Sequence, residues 1–193
     1  MPKIILGSGS ISRFTGDAVV VPSDTDLTYK KSNRILQYLA YGSDTDYSYK
    51  KISKEEREKR KECEVHLLKE LSGIGHIELG HAVITKSYGL PVTNLIFLPY
   101  EDHDSPDEIL DSVTLHQATR AAFTLATLYN VKTIAIPIIK KHFRKKDMIN
   151  DFITRIFNKE ALKILSEDEI MNIMIGVSRE YNNTSLEEIT LYR

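Results

Sequence analysis

The sequence predicts a three-layer α/β/α sandwich built on a mixed, mostly parallel six-stranded sheet, and three observations carry that expectation. Short apolar runs rich in β-branched residues recur at residues 4–6, 18–21, 82–85, 95–98, 133–139 and 172–177. Two of them, at 18–21 and 134–139, are apolar at nearly every position, as strands covered on both faces are. Segments with helical periodicity and readable starts alternate with the runs, the pattern of helices layered on a sheet.

The elements follow in order. After the first two strands, a short helix is expected over residues 32–41. Ser53 followed by Glu56 forms a capping box ahead of a charged helix running to about Leu71. Its first half is solvent-facing, with Glu56 and Arg60 spaced for an i,i+4 pair. Its second half is expected to present Val65, Leu68 and Leu71 to a core. Ser105-Pro106-Asp107-Glu108 combines a cap, a proline in the first helical position and a glutamate three residues on. The helix behind it continues to Asn130, which suits the residue just past a helix end. Asp147 can cap a further helix with Met148, Ile149, Phe152, Ile153 and Ile156 on one face. No repeat, linker or low-complexity segment divides the chain, so residues 1–193 are expected to form a single domain.

Composition narrows the function. The net charge of -1 leaves no global basic excess, so any nucleic-acid contact has to be local. The single cysteine, Cys63, provides no disulfide framework and fits a reducing compartment. Neither a secretory leader nor a membrane-length apolar stretch is visible, so the expected location is cytoplasmic.

Several motifs point to chemistry and fall short of it. "ILGSGSIS" resembles a dinucleotide fingerprint, but Asp17 opens another strand before a crossover helix can fit. Cys63 and His66 sit at i,i+3, yet two ligands from one helix do not close a zinc site. The acidic loop around His103 precedes a helix start, where acidic residues are favoured in any case. No nucleophile elbow supports a serine triad. The run Lys140, Lys141, His142, Arg144, Lys145, Lys146 opposes the dipole of a helix starting there. Either the helix starts later, near Asp147, or an anion sits nearby.

Four segments in order resemble the macro domains, the α/β/α modules known for binding ADP-ribose. "GSISRFTGDAVVVPSDTDL" is similar to the family's G-D-I turn and the D-A-I-V-N-A-A-N strand after it. "GHIELGHAVITKSYGLPVTNLIFLPY" resembles its G-x-A-x-x-T segment, L-P turn and following strand. "LHQATRAAFTLATLYN" and "VKTIAIPII" are similar to its next helix and its I-A-F-P-A-I strand.

The departures fall on positions the family uses. The acid that bonds the adenine amine is Ser10 here, and the asparagine pair becomes Val21 and Asp24. The glycine loop along the distal ribose and diphosphate corresponds to a stretch holding Tyr29, Lys30 and Lys31. The second phosphate loop falls on Lys140, Lys141 and His142. A glycine nest binds phosphate because bare backbone approaches closely, whereas lysine attracts it only as a mobile point charge. The resemblance implies a cleft gathering Ser10, Asp24, Lys30, Lys31, Lys140, Lys141, His142 and Arg144. The last expected strand ends in "GVSREYNN", where the family places an aromatic or polar residue beside adenine, and the resemblance implies Tyr181 for that place. The implied function is binding of a nucleotide-like or other phosphate-bearing ligand, with no catalytic residue, metal or cofactor. Two alternatives stay open: an interaction module holding RNA, DNA or protein through its basic loop, and an ADP-ribosyl or phosphoester hydrolase.

Overall fold

The computed structural model describes residues 2–7, 11, 14–27, 53–101, 112–137, 167–180 and 185–192. The elements in chain order are β1 (Lys3–Gly7), β2 (Ala18–Asp24), α1 (Lys54–Ile74), β3 (Val83–Lys86), β4 (Asn94–Glu101), α2 (Ser112–Leu128), β5 (Thr133–Pro137), α3 (Glu167–Glu180) and β6 (Glu188–Tyr192). The strands form one six-stranded sheet in the order β1-β6-β5-β2-β4-β3. Only β3 runs antiparallel to its neighbour; the other pairs are parallel. The helices expected over 32–41 and from Asp147, and the start at Ser105, lie outside the described residues.

β2 occupies the middle of the sheet, and its Ala18, Val19, Val20 and Val21 are fully buried. One face carries Ala18, Val20, Ile96, Leu98, Ile134, Ile136, Ile189 and Leu191 against α2 and α3. The other carries Val19, Val21, Leu95, Phe97 and Ala135 against Leu67 and Leu71 of α1. Right-handed crossovers explain the division. The chain moves one way along the sheet through α1, then the opposite way through α2 and α3, and the reversal places helices on both faces.

α1 begins as its capping box predicts: the Ser53 hydroxyl accepts from the Glu56 N–H at 3.1 Å, and Arg60 Nε donates to Glu56 at 2.8 Å. Its buried stripe differs from the expected one. Leu67 and Leu71 are buried, Leu68 is half-buried and Val65 is 63% exposed. Residues 67 and 71 share a face at 3.6 residues per turn, and position 65 is rotated to the opposite side. α2 buries Leu115, Ala118, Thr119, Ala122, Phe123 and Ala126. Asn130 follows it at a positive φ of 54°, as its place past the helix end leads one to expect.

The sixth strand is not where the β-branched run suggested. Residues 172–177 belong to α3, and β6 lies over Glu188–Tyr192. Met174 and Val177 are buried while Asn172 and Gly176 are exposed, the spacing of a helix and not the alternation of a strand. A six-residue stretch with Ile173, Met174, Ile175 and Val177 as its apolar members is too short to separate the two periods.

Asp17 ties the strand starts together. Its carboxylate accepts from the N–H groups of Lys132 and Thr133 at 2.8 and 3.0 Å. Its own N–H donates to Thr133, and its carbonyl accepts from Thr93 and Asn94 at 3.1 and 2.9 Å. β2, β4 and β5 therefore begin from one point. Gly16 beside it has no room for a side chain: a Cβ there would meet Thr133 Oγ1 and Phe14 Cε1 at 2.5 Å, and Phe14 Cζ closer still. Gly16→Ala is expected to lower stability by about 1–3 kcal/mol through this overpacking, measured as a shift in the urea midpoint at unchanged slope.

Candidate functional site

The carboxyl ends of β2 and β5 are where the sheet opens. These neighbours are paired only at Ala18–Ile134 and Val19–Ala135 among the described residues. β2, by contrast, stays with β4 as far as Asp24 opposite Glu101. The connection leaving β2 leads towards β3 and β4, and the one leaving β5 leads towards β6. Two adjacent parallel strands whose onward connections diverge leave a crevice at their carboxyl ends, the usual ligand position in an open α/β sheet.

Prolines mark this edge. Pro22, Pro99 and Pro137 stand near the carboxyl ends of β2, β4 and β5, each behind an apolar run. Lacking an N–H, proline ends a ladder or sits beside a bulge. A bulge follows in the β2–β4 pair: Ser23 opposes Pro99 and Asp24 opposes Glu101, which leaves Tyr100 as the extra residue.

Asp24 closes β2 and is only 4% exposed. A tight turn follows, with the Leu27 N–H donating to the Asp24 carbonyl at 3.1 Å. Leu27 takes a left-handed φ of 52°, a conformation costing roughly 1 kcal/mol in a residue with a Cβ. Its side chain is buried in the α1-side core, which offsets that strain. The segment after α1 holds the turn from outside. The Ile77 N–H donates to the Thr25 carbonyl at 2.8 Å, and His76 Nδ1 lies 2.7 Å from Asp26. His76 Nε2 is 3.8 Å from Glu78, so the exposed imidazole stands between two carboxylates.

The Ser23 Oγ and Tyr100 hydroxyl are buried without a hydrogen-bond partner among the described residues. The Tyr100 ring keeps some exposure, but its hydroxyl does not, and that burial pushes the phenol well above its ordinary range. Burial and then the Glu188 charge also raise Tyr192 at the end of β6, whose ring meets Phe14 edge-on at 6.3 Å.

Of the residues singled out in the sequence, Asp24 stands where expected, at the end of the central strand. Ser10, Lys30, Lys31, His103, Lys140, Lys141, His142, Arg144 and Tyr181 lie outside the described residues. Residues 172–177, the strand expected ahead of Tyr181, belong to α3. Cys63 is half-buried and His66 stacks on Tyr88 at 5.8 Å. Among the described residues no group of three metal-ligating side chains forms. Sequence reading missed Tyr100 and the His76–Asp26 pair. The proline before Tyr100 was the one hint of a bulge, and nothing signals a pair fifty positions apart.

Residues 53–145, just under half of the chain, match the Macro domain family model, and the fold over nearly the whole chain is that of the macrodomains. The macro domain of ganglioside induced differentiation associated protein 2 superposes with a TM-score of 0.62 at 15% identity, over 98% of this chain and 76% of that one. A Trypanosoma brucei macrodomain solved in complex with ADP gives 0.63 at 14% identity, over 99% and 63%. This chain thus spans slightly less than two thirds of that relative's length. The macrodomain of Mycobacterium tuberculosis DarG gives 0.57 at 11% identity, over 99% and 98%. No curated protein matches the sequence significantly. No described helix is long and apolar enough to cross a membrane.

The raised phenols have a consequence at high pH. A group whose folded-state pKa is raised contributes stability that is intact below the unfolded value, about 10 for tyrosine, and lost above it. Unfolding is expected to set in above that pH, and Tyr100→Phe is expected to move the alkaline midpoint upward, as followed by circular dichroism.

Proposed function

We propose that this chain binds a nucleotide-like, phosphate-bearing ligand related to ADP-ribose in the crevice between β2 and β5, without chemistry. The parting of β2 and β5 after two paired positions carries the reading, because it opens a cleft at the reversal of strand order. The lysines lie close in sequence to this opening. Lys30 and Lys31 follow the β2 exit turn, and Lys140, Lys141, His142 and Arg144 follow Pro137 at the end of β5. The Trypanosoma brucei macrodomain, of the same fold, has been solved with ADP and with ADP-ribose.

Charge takes the place of shape in this reading. The lysines attract the diphosphate as point charges where the family's glycines offer backbone N–H groups. The absence of that glycine cradle, which would hold the scissile ribose and a water, argues for binding without hydrolysis. Lys30, Lys31, Lys140, Lys141, His142 and Arg144 are the ligand's phosphate partners, Asp24 faces its ribose, and Ser10 and Tyr181 are assigned to the base. The single cysteine fits a reducing, cytoplasmic setting.

Isothermal titration with ADP-ribose and ADP tests the reading. Binding that weakens about tenfold on charge reversal at Lys140 and Lys141 is expected, since two positive charges are lost and inverted. No heat at millimolar nucleotide would sink it. Release of ADP-ribose from a modified substrate would show chemistry and overturn the non-catalytic part.

A further inference from the structure

We draw no further inference here: the strongest candidate, the side-chain cluster of His76, Asp26 and Glu78 at the exit turn of β2, is exposed and belongs to the turn already described, and nothing among the described residues ties it to a ligand or to a second conformation.

Discussion

The hydrogen bonds around Asp17 are the constraint on which the central sheet depends. One residue uses its carboxylate, its N–H and its carbonyl to fix the starts of β2, β4 and β5. Backbone donors at strand starts need partners when they are removed from water, and a carboxylate accepting from several N–H groups satisfies them at one stroke. Gathering the amino ends in this way leaves the carboxyl ends to differ. β2 can stay with β4 through Asp24 while it leaves β5 after Val19. The strands thus part at the end of the sheet opposite to the knot.

That far end is built from departures from regular ladder geometry. Pro22, Pro99 and Pro137 supply no N–H, a bulge inserts Tyr100, and Leu27 turns through a left-handed conformation. Each costs something relative to an uninterrupted strand. Together they place polar groups at the end of an apolar sheet: the Asp24 carboxylate, two hydroxyls without a partner among the described residues and a turn pinned by Ile77 and His76. Local rules are commonly broken where a protein meets its ligand, and the rest of the fold supplies the stability that tolerates it. Here the two fully packed faces of β2 perform that service.

The sequence by itself determined the sheet's centre, the two-sided burial of β2, the Ser53 cap and the Asn130 terminus, because each depends on residues within a few positions of one another. It also carried the four segments similar to the macrodomains, in the right order. It failed at residues 172–177, where four apolar residues in a stretch of six fit either period and only packing against α2 made them helical. Val65 failed for a related reason: hydrophobicity was read without the rotation that turned it outward.

Tertiary structure alone decided which distant polar groups come together. Asp26 and His76 are fifty residues apart, Asp17 and Thr133 more than a hundred, and the bulge that singles out Tyr100 arises from the register of β4 against β2. Register is a property of two strands together and leaves no mark in either one. Asp24 could be found in the chain as the end of an apolar run. The company it keeps exists only once the strands are aligned.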